Sequence, residues 1–115
     1  MIFDGCWSDP KHPDGYRVIK ISDNVEKQTG AKLGTVSGSD TGMVQDYSLP
    51  VRAFATSSWI LIDIDFPVID QHLSGYGNME PNTINWIIEG GDSYKWVKVD
   101  ESKCPSTVKP AAFLQ

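Results

Sequence analysis

The chain is short of basic residues, with ten lysines and arginines against fifteen aspartates and glutamates in 115 residues. The net charge of -5 argues against a protein that binds a nucleic-acid backbone, because such proteins depend on clustered Lys and Arg. Lysines are more frequent after residue 94, but acidic residues alternate with them, as on an ordinary solvated surface. We therefore expect no nucleic-acid partner.

Long hydrophobic runs are also missing. No apolar stretch approaches the ~20 residues that a membrane-spanning helix needs. The first seven residues lack the charged and apolar regions of a secretion signal. We expect a soluble chain without a signal peptide and without direct membrane insertion, and this pattern leaves the compartment open.

Cysteine is scarce, with only Cys6 and Cys104 near opposite ends of the chain. This spacing excludes a CxxC redox or zinc motif. One alternative is a disulfide, which a closed barrel would allow because its first and last strands are neighbours. Such a bridge encloses about a hundred residues and would stabilise the fold by up to ~4.7 kcal/mol in the chain-entropy model. The other alternative is two unpaired thiols.

Helical periodicity is absent from every stretch of ten residues, and strand patterns replace it. The clearest covers Trp59–Phe66, where apolar residues at the even positions alternate with a face that carries Asp63 and Asp65. Strict period-two alternation is typical of a strand with one face on a core and the other toward water.

Seven shorter segments show related patterns between turn signals. The eight predicted strands are Phe3–Trp7, Tyr16–Ser22, Lys32–Ser39, Gln45–Thr56, Trp59–Phe66, His72–Gly77, Thr83–Glu89 and Ser93–Val99. They predict an all-β fold, an antiparallel up-and-down eight-stranded barrel over residues 1–103, followed by a C-terminal tail over 104–115. Closure removes unpaired edges and leaves an interior that side chains fill or that holds one small ligand.

Two segments resemble known proteins. Phe3-Asp4-Gly5-Cys6-Trp7 resembles the Gly-x-Trp opening of the calycin barrels, which are the lipocalins, fatty-acid-binding proteins and avidins. Gly34–Gly38, Leu73–Tyr76 and Thr83–Ile88 also resemble avidin strands in their order, so that the likeness covers about residues 3 to 99. It implies an avidin/lipocalin-like barrel that binds a small ligand, although the polar biotin site of avidins has no matching positions here. The segment Asp9–Arg17, of the form DPxHPxGYR, is similar to one in small β proteins of algae and other photosynthetic organisms, and this likeness implies no activity.

Aromatic residues are numerous, with four Trp and four Tyr. Aromatic walls are common in ligand pockets and in protein interfaces. For the pocket we select Trp59, Trp86, Trp96 and Tyr76 as ligand-binding residues for an apolar or ring-containing molecule.

Three candidate metal ligands share the first loop. Asp9, His12 and Asp14 supply an imidazole and two carboxylates, a set that suits a divalent cation. The Asp-Pro and Asp-Gly contexts also account for both carboxylates as turn formers, and we favour that interpretation. We therefore expect no metal and no other cofactor.

Catalytic motifs are weak. Asp63 and Asp65 lie two apart on a predicted strand and so on one face, where paired carboxylates can act as general acid and base. If Ile60, Ile62 and Ile64 point inward, both acids lie outside the barrel, where an acidic pair is typical of a soluble surface. His72 follows Asp70, but no serine lies in a Gly-x-Ser-x-Gly elbow. We assign no catalytic residue.

The sequence thus favours a noncatalytic binding or interaction module, acting as an accessory subunit of a larger complex or as a homo-oligomer. The first alternative is a calycin-like protein that binds a small apolar ligand. The second is a small enzyme that uses the His12 loop or Asp63 and Asp65.

Overall fold

The computed structural model describes residues 3–42, 45–55, 60–66, 71–78, 82–88 and 93–105. At residues 55, 60–66, 71–74, 76–78 and 88 it describes the backbone alone. The turn expected at residues 90–92 and the tail from residue 106 onward lie outside these ranges.

The described residues form strands and a single turn of 3-10 helix at Glu101–Lys103. The strands are β1 (Gly5–Ser8), β2 (Tyr16–Val25), β3 (Lys32–Ser39), β4 (Tyr47–Ala55), β5 (Ile60–Phe66), β6 (Gln71–Asn78), β7 (Thr83–Ile88) and β8 (Ser93–Val99). No helix among the described residues has the length and apolar character needed to cross a membrane.

Each strand pairs antiparallel with the next one in the chain. β1 also pairs with β8, through Cys6 opposite Val99 and Ser8 opposite Val97, so the hydrogen-bonded order returns to its start. The prediction of an all-β, antiparallel and strongly curled sheet is confirmed.

Strand direction alternates along the chain, so every second connection between strands lies at the same end of the sheet. The β1–β2 connection at residues 9–15 and the β3–β4 connection between Ser39 and Tyr47 share an end. We call this the Arg17 end, because Arg17 lies there near the start of β2. It is the part of the fold that positions the candidate site.

The core lies on the inner face and follows the register. Ile19 of β2 is opposite Val36 of β3, and Ile84 of β7 is opposite Trp96 of β8. The buried cluster consists of Phe3, Trp7, Ile19, Val36, Val51, Ala53, Ile84, Trp86 and Trp96. Burying side chains of this size supplies the main driving force for the fold.

Glycines make room for the aromatic side chains of this core. A Cβ at Gly75 would lie 2.7 Å from Trp86 Cε3, and one at Gly38 would lie 2.7 Å from the Tyr47 hydroxyl. The glycines of β3 suggest a bulge or a close approach of backbone. The structure shows the close approach, whereas the irregular register lies in β2 between Ile21 and Val25.

Proline cannot donate to a ladder, so Pro50 predicts that β4 is an edge strand or contains a bulge. The structure instead pairs Pro50 with Thr35 in regular register, and β4 has neighbours on both sides. β5 begins to pair with β4 only at Val51. Pro50 therefore lies beside an unpaired stretch and costs no hydrogen bond there.

A disulfide joins Cys6 of β1 to Cys104, which follows the 3-10 turn. The two residues are 98 positions apart, and no free cysteine remains. Of the two alternatives that the spacing allows, the structure has the bridge. It ties the segment after β8 onto the first strand, where the ends of the sheet meet.

We expect reduction of this disulfide to lower the free energy of unfolding by roughly 2–5 kcal/mol, because the unfolded chain regains a loop of about a hundred residues. Urea denaturation with and without dithiothreitol measures the difference. The double variant Cys6→Ser/Cys104→Ser should match the reduced protein and show no response to dithiothreitol. Equal midpoints for the reduced and oxidised protein would contradict the expectation.

Candidate binding site at the Arg17 end

Arg17 is a charged residue on the inner face of β2. It alternates with the same period as Ile19 and Ile21, and it is only 3% exposed. A buried guanidinium needs acceptors for its N–H groups and a compensating negative charge. The structure supplies both from three separate parts of the chain.

The guanidinium donates four hydrogen bonds. Nη1 donates to the backbone oxygens of Tyr16 and Ser39, each at 2.9 Å. Nη2 donates to Asp40 Oδ1 at 2.7 Å and to Asp9 Oδ2 at 3.4 Å. Asp9 is buried and Asp40 is half exposed, so the ion pair extends from the interior to the surface.

His12 completes what we call the Arg17 cluster, defined as Asp9, His12, Arg17 and Asp40. Its Nδ1 lies 3.3 Å from Asp9 Oδ2 and 3.4 Å from Arg17 Nη2, and its Nε2 lies 3.6 Å from Asp40 Oδ2. Asp9 Oδ1 also accepts the backbone N–H of Lys11 at 3.0 Å, which fixes the loop. With neutral His12, the cluster carries one positive and two negative charges.

Aromatic rings lie beneath the guanidinium. Arg17 Cζ is 5.5 Å from the Trp96 ring centroid and 5.8 Å from that of Tyr47, both within cation–π range. Burial raises the pKa of Tyr47 well above its usual range, and the charge of Arg17 offsets only part of this. Tyr47 therefore stays a neutral phenol at physiological pH.

Trp96 in turn packs on Trp86, with ring centroids 4.8 Å apart and planes tilted by 60°. Among the residues whose side chains are described, three buried N–H donors of this group have no hydrogen-bond partner: Arg17 Nε, Trp86 Nε1 and Trp96 Nε1. We call these three atoms the donor cluster. Trp7, in contrast, donates its indole N–H to the Phe3 oxygen at 2.9 Å.

The structure brings two of the four predicted ligand-binding residues together. Trp86 and Trp96 touch in the core. Tyr76 pairs with Asn85, and Trp86 pairs with Gly75, so the register places Tyr76 on the opposite face of the sheet from Trp86. Trp59 lies outside the described residues.

The three candidate metal ligands of the first loop are only partly brought together. Asp9 and His12 are in contact, whereas Asp14 is exposed. The Arg17 guanidinium lies between the carboxylates of Asp9 and Asp40 and offsets part of their negative charge, as a metal ion would in a metal site. Among the residues whose side chains are described, no group of three or more His, Cys, Asp or Glu could hold a metal ion.

Two members of the Arg17 cluster were missed from the sequence. For Arg17 a signal existed, since a charged residue interrupts the apolar face formed by Ile19 and Ile21. For Asp40 no local signal exists, because it is 23 positions away and reaches Arg17 only through the pairing of β2 with β3.

Clefts on the described surface lie on the outer side of the sheet. One of about 640 Å³ is lined by Cys6, Val18, Lys20 and Cys104, beside the disulfide. A second of about 360 Å³ lies nearby, next to Ser8 and Lys103. These clefts are separate from the donor cluster, which is enclosed by the core.

Comparisons with known proteins found no family model, no curated protein and no solved structure that matches this chain. The function is therefore inferred from the geometry of the site.

We expect Arg17→Met to lower the free energy of unfolding by about 3–5 kcal/mol, because it removes the positive charge that offsets the buried Asp9 carboxylate. Asp40→Asn is the matched control. It should cost at most about 1 kcal/mol, since Asp40 is half exposed and water can replace its partner. Urea denaturation of the two variants measures both values, and equal costs would contradict this account of the cluster.

Removal of an indole N–H should affect Trp7 more than Trp86 or Trp96. Trp7→Phe deletes a hydrogen bond and leaves the buried Phe3 oxygen without it, at a cost of about 1–3 kcal/mol beyond the lost volume. Trp86→Phe and Trp96→Phe lose similar volume but no hydrogen bond. The same denaturation measurement on ligand-free protein compares the three variants, and a Trp96→Phe cost as large as that of Trp7→Phe would show that its indole is satisfied.

Proposed function

We propose that this chain is a noncatalytic binding module, built on a calycin-type up-and-down barrel of the avidin/lipocalin kind. We further propose that it binds a small, ring-containing molecule with hydrogen-bond acceptors at the donor cluster beneath Arg17. The observation that carries the proposal is the unpartnered state of Arg17 Nε, Trp86 Nε1 and Trp96 Nε1.

These donors destabilise the protein because they are buried without acceptors. A buried N–H without an acceptor costs about 1–3 kcal/mol, and native proteins carry few of them without a reason. The three donors belong to neighbouring side chains. Arg17 lies against Trp96, and Trp96 lies against Trp86. A ligand that supplies acceptors to this group recovers the cost on binding.

The charges of the site favour a neutral acceptor. Arg17 already faces the carboxylates of Asp9 and Asp40, so a strongly anionic ligand gains little from it. A carbonyl oxygen or a ring nitrogen accepts from these donors without adding charge. The adjoining indole rings provide faces on which a planar group can stack.

The loops of the Arg17 end are the expected entrance. The donor cluster is buried, and Arg17 connects it to the Arg17 cluster, whose residues come from the β1–β2 loop, β2 and the β3–β4 connection. Binding loops on a rigid scaffold are a common arrangement. We infer that the ligand enters when these loops separate.

The contacts of the His12 imidazole support a noncatalytic role. The described contacts of the imidazole all go to charged side chains, those of Asp9, Arg17 and Asp40. These contacts fix the imidazole as part of a structural ion-pair network. A general base needs its acceptor nitrogen turned toward the proton that it removes.

Native mass spectrometry of the protein purified without denaturation from its natural source tests this proposal. We expect a small-molecule adduct on the wild-type chain that is reduced or lost in Trp96→Phe, because that variant keeps most of the ring surface but removes one donor. Trp7→Phe is the matched control and should retain the adduct. Absence of any adduct, or equal retention by Trp96→Phe, would contradict the proposal.

A protein partner is the second candidate. It is supported by two surface clefts of about 640 and 360 Å³ that both include Cys6 of the disulfide in their lining. The same spectra distinguish it, because a protein partner or a second copy of the chain adds a protein-sized mass. Such a complex should be insensitive to Trp96→Phe, since Trp96 is buried.

A further inference from the structure

The disulfide between Cys6 and Cys104 borders a surface cleft. Both cysteines line the cleft of about 640 Å³ on the outer side of the sheet. Pockets for drug-sized ligands measure about 300–1,000 Å³, so this cleft has room for a small thiol beside the bridge. Cys104 is partly exposed, whereas Cys6 is only 3% exposed. Cys104 is therefore the more accessible of the two bridged residues.

The segment that carries Cys104 lies on the surface. None of residues 100–105 is buried. The backbone N–H groups of residues 102–104 donate to Asp100 and Glu101 within the same segment, at 2.9–3.1 Å. Cys104 Sγ also lies 3.4 Å from the backbone oxygen of Arg17. Since the backbone bonds of the segment are local and the disulfide is its covalent tie to β1, breaking the bridge frees it locally.

Backbone pairing holds the closure of the sheet next to the bridge. Cys6 pairs with Val99, and Ser8 pairs with Val97, so β1 stays beside β8 when the sulfur–sulfur bond is broken. Trp7, between them on β1, is buried in the core. Exposed segments open at a lower free energy than the core does. The bridge is thus placed to react while the sheet remains folded.

The cleft presents charges of both signs. Lys20 and Glu101 line it and are exposed. Asp4 lines it as well, and its Oδ1 accepts the backbone N–H of Ile21 at 2.6 Å. A peptide thiol such as glutathione carries carboxylates and an ammonium group, which complement this lining. The Lys20 ammonium also favours the attacking group, because a nearby positive charge stabilises a thiolate.

We propose that Cys104 is a modification site for a peptide thiol of the glutathione class, which reaches it through this cleft. The thiolate attacks Cys104 Sγ, a mixed disulfide forms there, and Cys6 leaves as a thiolate that takes up a proton. A second thiolate then attacks the mixed disulfide and releases the small molecule as its own disulfide. Both cysteines of the chain are then reduced, and two small thiols are oxidised. This site is independent of the proposed ligand site, which lies in the core.

Reduction of the wild-type protein by glutathione over a urea series tests whether the folded chain reacts. We expect the rate to change by less than about twofold below the unfolding transition, because the cleft exists in the folded state. A small-molecule disulfide in the same solutions corrects for the effect of urea on the thiol. A logarithm of the rate that rises linearly with urea, in parallel with the unfolding equilibrium, would show that only the unfolded chain reacts and would overturn the proposal.

Peptide mass spectrometry of the same reaction identifies the cysteine that is attacked. The reaction is quenched with acid at early times, and free thiols are then alkylated with N-ethylmaleimide. We expect glutathione on Cys104 and N-ethylmaleimide on Cys6. Glutathione mainly on Cys6, or equally on both residues, would show that the assignment to Cys104 is wrong.

Lys20→Glu tests the class of thiol. We expect it to slow exchange with glutathione by at least about threefold more than exchange with neutral 2-mercaptoethanol at low salt, because only glutathione has carboxylates for Lys20 to attract. Lys27→Glu is the matched control. Lys27 is exposed in the β2–β3 connection and does not line the cleft, so its replacement should leave both rates as in the wild type. Equal rates with glutathione in the two variants would rule out recognition of a peptide thiol by this cleft.

Discussion

Burial of one guanidinium organises the Arg17 end of this fold. Arg17 lies inside the curled sheet, where its charge has to be met by acceptors that water would otherwise provide. Asp9, Asp40 and two backbone oxygens meet it, and they belong to the first loop, β2 and the residues that end β3. One side chain thus fixes the relative positions of two connections and covers the aromatic core beneath.

Under the proposed function, the same arrangement links stability with binding. The network satisfies the terminal nitrogens of Arg17, while its Nε and two indole nitrogens have no acceptor among the described residues. With every donor satisfied, the Arg17 end would be a purely structural closure of the sheet. The proposed function uses the remaining donors to select a molecule that brings acceptors of its own.

Sequence patterns predicted the fold well and the site poorly, for a physical reason. Alternation of apolar residues is local, so it revealed each described strand and the inner face that carries Ile19, Trp86 and Trp96. The Arg17 cluster depends on register between strands, which no single segment encodes. The sequence alone allows either a disulfide between Cys6 and Cys104 or two free thiols. The pairing of β1 with β8, which brings the two residues together, is a property of the whole fold.

The bond between Cys6 and Cys104 makes nearly the whole polypeptide a covalent ring. A protease that nicks any one connection inside this ring produces two fragments that stay attached, and non-reducing electrophoresis shows a single intact species. A cut in such a connection creates two new chain termini, while the disulfide keeps the strands covalently linked.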